Sequence, residues 1–256
     1  MDFSLPRSNE PLGSARVEFL QAFRQSCASS ILQMLRTSQS GHPGGSLSCL
    51  DYLAVLYAFR LTKTNEKIVV SNGHISPGVY SVLAECGVID HEEVCNNFRQ
   101  IGSVYEGHVT RHIPGIYFGT GPLGVGTSAA AGFAWAQKAQ LKNFGTQELR
   151  NDASSHSQVL KSSSSQVFPK VFGLLGDGEA QEGQVHEMAL FAAKEKLSNL
   201  IMFCDYNQVQ LTDSLAKIMP IDVAAIFKAH NWEVYEIDGH DHELIWATIN
   251  KACTSD

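Results

Sequence analysis

Two short apolar runs constrain this chain more than any other feature. VFGLLG (171–176) ends at Gly176-Asp177-Gly178-Glu179, and NLIMFC (199–204) ends at Asp205-Tyr206-Asn207-Gln208-Val209. Helical spacing over 182–196 lies between them, so the stretch predicts strand, helix, strand. Two strands joined by a helical crossover run parallel. In a parallel sheet, ligands sit at the carboxyl ends of strands, so both loops are expected on one edge.

The same rhythm continues to the end of the sequence. Residues 221–230 and 241–252 read as helices and WEVYEI (232–237) as a further strand. Alternating strands and helices predict an α/β fold with a central parallel sheet and helices on both faces. Upstream, 15–38 and 47–60 have helical patterning, the second apolar on several sides. Ile68-Val69-Val70 reads as a strand that stops at Ser71-Asn72-Gly73-His74. Two glycine-rich loops, SGHPGG (40–45) and GTGPLGVG (119–126), precede helical patterns. Residues 141–168 are Ser-rich and read as a long surface insertion within one diphosphate-binding domain over 1–256.

The net charge of −7 argues against a nucleic-acid surface, which needs clustered Lys and Arg. No apolar run approaches the roughly 20 residues of a membrane helix. The first residues lack the pattern of a secretory signal, and the six cysteines form no CxxC pair. Free thiols and a cytoplasmic location are the expectation.

Asp177 and Asn207, about thirty residues apart and each following an apolar strand, offer hard oxygen atoms. Mg²⁺ prefers such oxygens in octahedral geometry and retains phosphate oxygens and water as ligands. The glycines around Asp177 allow close backbone approach to a diphosphate, and the following helix can turn its positive end toward it.

GDGEAQEGQVHEMALFAAKEKLSNLIMFCDYNQVQL resembles the diphosphate-binding segment of transketolases. The resemblance extends through SGHPGGSLSCLDYLAVLY, SNGH and GTGPLGVG, over about residues 15–250. The GSLS form of the first motif resembles transketolases divided into two polypeptides. The resemblance implies thiamine diphosphate with Mg²⁺ (Ca²⁺ or Mn²⁺ as substitutes). Asp177 and Asn207 would bind the cation through their side chains and Val209 through its carbonyl. Gly178 and Glu179 would lie against the diphosphate, and Gly121, Pro122 and Leu123 would hold the aminopyrimidine side. His42, His74 and His108 fall where the family places active-site histidines, with His74 also approaching the diphosphate. Glu182 matches a glutamate near the subunit interface.

Some positions depart from the family pattern. His108-Val109 stands where His-Pro is usual, and His186 where Trp is usual. The stretch 61–67 lacks the customary basic-acidic run. The sequence stops at KACTSD, before a further strand and histidine loop of the family.

Thiamine diphosphate reacts through a carbanion at thiazolium C2 that attacks a ketose carbonyl. In transketolases the Glu that promotes this, and most substrate phosphate ligands, belong to the next domain. The expectation is therefore a transferase subunit that moves a two-carbon ketol unit between sugar phosphates. It would be inactive without a C-terminal transketolase-like subunit, with two copies of each chain in an α2β2 complex. A related carboligase or decarboxylase subunit using an α-keto acid would share every cofactor motif. A non-catalytic scaffolding subunit is the rival from another class. A dinucleotide binder is disfavoured because no GxGxxG opens a helix after the first strand.

Overall fold

A computed structural model describes residues 10–61, 66–151 and 169–255. Three strands form its central sheet: β1 (Lys67–Val70), β2 (Val171–Gly176) and β3 (Leu200–Asp205). Their order is β1-β2-β3, and both pairings are parallel. Val70 pairs with Leu174, and Gly176 with Asp205.

Side-chain alternation along the strands creates two cores. Ile68, Val70, Phe172 and Leu174 face one cluster, joined there by Ile201 and Phe203. Val69, Val171 and Leu175 face the other, with Met202 and Cys204 packed against it. The first face is covered by α1 (Ser14–Ser38), α3 (Leu50–Phe59), α4 (Ser76–Glu85), α5 (His91–Asn97) and α10 (His242–Thr254). The second is covered by α6 (Val125–Asn151), α7 (Gly183–Glu195) and α9 (Val223–Ala229). This is the expected α/β arrangement, with β1 and β2 largely buried and β3 mostly half-buried.

Two expectations need correction. The helix predicted over 47–60 is two helices, α2 (Pro43–Ser48) and α3, which meet at Cys49. Cys49 has ψ −3°, which turns the chain out of the regular helix there. WEVYEI is not a strand: no backbone hydrogen bond joins residues 233–237 to β3 among the described residues. Its alternation reflects packing of Trp232 and Val234 against the second core, and Trp232 Nε1–H donates to the Ala189 carbonyl at 3.0 Å. The first part of the proposed Ser-rich insertion is helical, since α6 runs through Asn151; 152–168 lie outside the described residues.

After β3 the chain forms a small antiparallel hairpin, β4 (Val209–Gln210) with β5 (Asp213–Ser214), followed by the short α8 (Leu215–Ile218). All six cysteines are free thiols. No described helix is long and apolar enough to cross a membrane.

Candidate active site

All three strands end at one edge, where four loops meet. Close packing of these loops depends on glycine at two points. A Cβ on Gly126 would stand 2.6 Å from the Ser71 Cα, and one on Gly73 would collide with the Thr120 hydroxyl. The 119–126 loop is therefore pressed against the loop that follows β1. The His108 segment is threaded between them. Val109 N–H donates to the Gly73 carbonyl at 3.3 Å, and its own carbonyl accepts from Thr120 N–H at 2.9 Å. Proline at 109 would lack that donor, so the departure from His-Pro adds a tether to the loop.

Glu179 sits at the centre of this junction. Its Oε1 accepts the Ser71 hydroxyl at 2.5 Å and the Gly124 N–H at 2.7 Å. Burial raises its pKa, against the lowering effect of these bonds. Oε2 is buried with no partner. The Glu179 side chain is thus turned inward and holds the loops together. Neither Ser71 nor Gly124 was singled out from sequence, although both lie inside recognised motifs.

The Asp177 loop and the Asn207 loop face each other across the β2–β3 pair. Asp177 Oδ1 accepts from Gly178 N–H at 2.7 Å, and Oδ2 accepts from Gln208 N–H at 2.8 Å. Gln208 holds φ +61° to reach this position, a left-handed conformation uncommon for a non-glycine residue. Asn207 Oδ1 accepts from Val209 N–H at 2.9 Å, and its Nδ2–H donates to Asp205 Oδ2 at 2.9 Å. Burial raises the pKa of both Asp177 and Asp205, and the Asp205 charge adds to the rise at Asp177.

Asp177, Glu179 and Asp205 take their hydrogen bonds from neutral N–H and O–H groups. None forms an ion pair with a basic side chain among the described residues. Asp177 and Glu179 are buried and Asp205 is half-buried, and a buried carboxylate without a positive partner suits a cation. Among the described residues no three His, Cys, Asp or Glu side chains converge as a metal cage. The oxygens at hand are the Asp177 carboxylate and the Asn207 amide, a pair suited to a Mg²⁺ that keeps phosphate and water ligands.

His42, His74 and His108 come together although they lie in three separate motifs. The His42 ring centroid is 5.7 Å from that of His74 and 6.1 Å from that of His108. His42 caps α2, while His74 lies in the 3₁₀ turn Gly73–Ile75. Burial lowers the His74 pKa to about 4, helped by His42 and His108. Burial also lowers His42, with His108 and Arg99 adding to the effect. His42 Nδ1 is buried without a hydrogen-bond partner. The cluster therefore holds His74 and His42 toward the neutral imidazole form, with the His42 Nδ1 unused. Arg99, not foreseen from sequence, packs over Gly107 beside this cluster.

Gly121, Pro122 and Leu123 are exposed at the rim. Glu182 is exposed at the N-cap of α7, after the 3₁₀ turn Glu179–Gln181. The helix begins within a residue of where its sequence pattern placed it.

Residues 24–256 match the family model of the transketolase thiamine diphosphate-binding domain. The sequence is 28% identical over 244 residues to one of the subunits of the apulose-4-phosphate transketolase of Phocaeicola vulgatus, covering 91% of this chain and 77% of that one. It is 33% identical over 224 residues to the 6-deoxy-6-sulfo-D-fructose transketolase subunit SqwG of a Clostridium species, covering 83% and 71%. The fold superposes on transketolase from Campylobacter jejuni with a TM-score of 0.75 and 31% identity, covering 93% of this chain but 36% of that one. Fold and site define a thiamine diphosphate-binding α/β protein. The chain belongs to the transketolase family and corresponds to its diphosphate-binding domain.

Proposed function

We propose that this chain is the N-terminal subunit of a split transketolase, a transferase that moves a two-carbon ketol unit between sugar phosphates. The observation that carries the reading is the meeting of Asp177, Asn207 and the three histidines at one sheet edge. The two subunit-type relatives, matched over more than two thirds of their own length, favour division into two chains.

In this reading Asp177, Asn207 and the Val209 carbonyl hold Mg²⁺, and Gly178 and His74 lie beside the diphosphate. Gly121 to Leu123 support the aminopyrimidine side. Bound thiamine diphosphate supplies the electron sink that lets a carbon–carbon bond next to a ketone break and re-form. His42, His74 and His108 hydrogen-bond the hydroxyls of the sugar. His42, with its unpartnered Nδ1, exchanges a proton with a substrate hydroxyl, a role suited to imidazole near neutral pH. Glu179 keeps the loops closed around the site. A second, C-terminal-type chain supplies the carboxylate at the pyrimidine ring and the substrate phosphate ligands, in an α2β2 complex located in the cytoplasm.

The test is to assay the purified chain, the partner and their mixture with xylulose 5-phosphate and with pyruvate as donors. Ketol transfer from the sugar phosphate by the mixture alone is expected. Turnover by the single chain would refute the split reading, and use of pyruvate in place of the sugar would point to the carboligase reading. Asp177→Ala should abolish cofactor-dependent turnover; retained function in that variant would favour a scaffold.

A further inference from the structure

Asp205 closes β3, opposite Gly176 in the ladder. Its carboxylate joins two parts of the site that are far apart in sequence. The Ser48 hydroxyl donates to Oδ1 at 2.8 Å, and Asn207 Nδ2–H donates to Oδ2 at 2.9 Å. Ser48 is the last residue of α2, the helix capped at its other end by His42.

We infer that Asp205 is a positioning residue: held by Ser48, it fixes the Asn207 amide with its oxygen toward the cation site and ties that site to the His42 helix. The inference rests on the cation reading given above. An asparagine side chain has two ends of nearly equal shape and opposite polarity. One accepts, and the other only donates. A carboxylate oxygen can satisfy the NH₂ end but not the carbonyl end, so Asp205 selects one orientation. Val209 N–H, donating to Asn207 Oδ1 at 2.9 Å, selects the same orientation from the other side. Oδ1 retains a lone pair for a hard cation, whereas a flipped amide would present N–H groups to a positive ion. Groups that orient metal ligands in this way typically contribute about 10–100-fold to metal affinity.

The link to Ser48 gives Asp205 a second consequence. Movement of the Asn207 loop is resisted by α2, and displacement of α2 loosens Asn207. The three hydrogen-bonded side chains, Ser48, Asp205 and Asn207, thus couple the cation loop to the loop that carries His42.

The experiment uses the full chain purified with its partner subunit. Mg²⁺ is titrated by calorimetry at saturating thiamine diphosphate, and the melting temperature is recorded without Mg²⁺. Asp205→Asn can still accept from Ser48 but can turn an NH₂ group toward Asn207. It should weaken Mg²⁺ binding roughly tenfold while leaving the cation-free melting temperature close to that of the parent. Ser48→Ala should weaken Mg²⁺ by a smaller factor, and Ser48→Thr should restore it. Combining Ser48→Ala with Asp205→Asn should add little, because both act through one carboxylate. If Asp205→Asn does not fold, the Ser48 pair carries the test. Parental Mg²⁺ affinity in Asp205→Asn and Ser48→Ala, with binding lost in Asp177→Ala, would overturn the inference and leave the cation site standing. A lowered cation-free melting temperature with unchanged Mg²⁺ affinity would reduce Asp205 to a structural contact and also overturn it. Retained Mg²⁺ binding in Asp177→Ala would instead remove the cation reading itself.

Discussion

Glu179 and Ser71 are separated by more than a hundred residues and joined by a 2.5 Å hydrogen bond, the Ser71 hydroxyl donating to Glu179 Oε1. The same oxygen takes the Gly124 N–H at 2.7 Å. One buried carboxylate therefore closes three loops from three motifs. Glu179→Ala would leave two buried donors without partners, at about 1–3 kcal/mol each. Chemical denaturation should show a loss of about 2–6 kcal/mol. Glu179→Gln keeps an amide oxygen for both donors and should recover most of that loss.

Glycine substitutions should separate close packing from helix propensity. Gly126→Ala brings a methyl group to 2.6 Å from the Ser71 Cα, and backbone cannot move aside cheaply. A loss of about 1–3 kcal/mol is expected, as for overpacking in a core, with weaker thiamine diphosphate binding. Gly132→Ala lies in the same helix with no heavy atom within 4 Å of the new carbon. It should stabilise the chain by up to about 1 kcal/mol. Paired thermal melts test both.

The histidine cluster makes stability depend on pH in a defined window. The His74 pKa in the folded chain is about 4, depressed by burial and then by His42 and His108. An unfolded histidine titrates near 6.5. Between these values the unfolded chain binds more protons, so stability rises with pH. The contribution is complete above pH 6.5 and is lost as pH falls toward 4. Urea midpoints measured across this window should show the slope, and His74→Gln should flatten it. In an NMR titration the His74 ring should remain neutral through about pH 5.5.

A second buried network lies on the other side of β3 from α7, between α3 and α10. Asp51 accepts from His242 Nε2–H at 2.9 Å, His240 Nδ1–H at 2.8 Å and Arg24 Nε–H at 3.2 Å. Burial acts to raise its pKa, but these three donors outweigh that and hold it at about 2. Because the folded value is depressed, the stability it contributes is present above the ordinary carboxylate pKa and lost as pH falls toward 2. Asp51→Ala strands the buried His242 donor, which is 5% exposed, and should cost about 1–3 kcal/mol. Asp51→Asn should cost less. Equilibrium unfolding at neutral pH distinguishes them.

Much of the architecture was legible in the residue pattern because it is local. Apolar runs such as VFGLLG and NLIMFC could only be buried strands, and loops bearing Asp177 and Asn207 had to leave the same end of a parallel pair. The motif order also placed His42, His74 and His108 in loops. WEVYEI misled because alternation reports which side chains are buried, and Trp232 and Val234 are packed inward without a backbone ladder.

Sequence by itself determined the parallel α/β plan, the edge where the loops gather and the family motifs, since each follows from periodicity and spacing within a few tens of residues. Only the tertiary structure decided that Glu179 turns inward to Ser71 and Gly124, that Asp205 lies between Ser48 and Asn207, and that three imidazoles share one corner of the site. Those outcomes depend on contacts between residues distant in the chain. The partner of a buried polar group is chosen by which loop packs against it, after water has been excluded and every donor must find an acceptor within the fold.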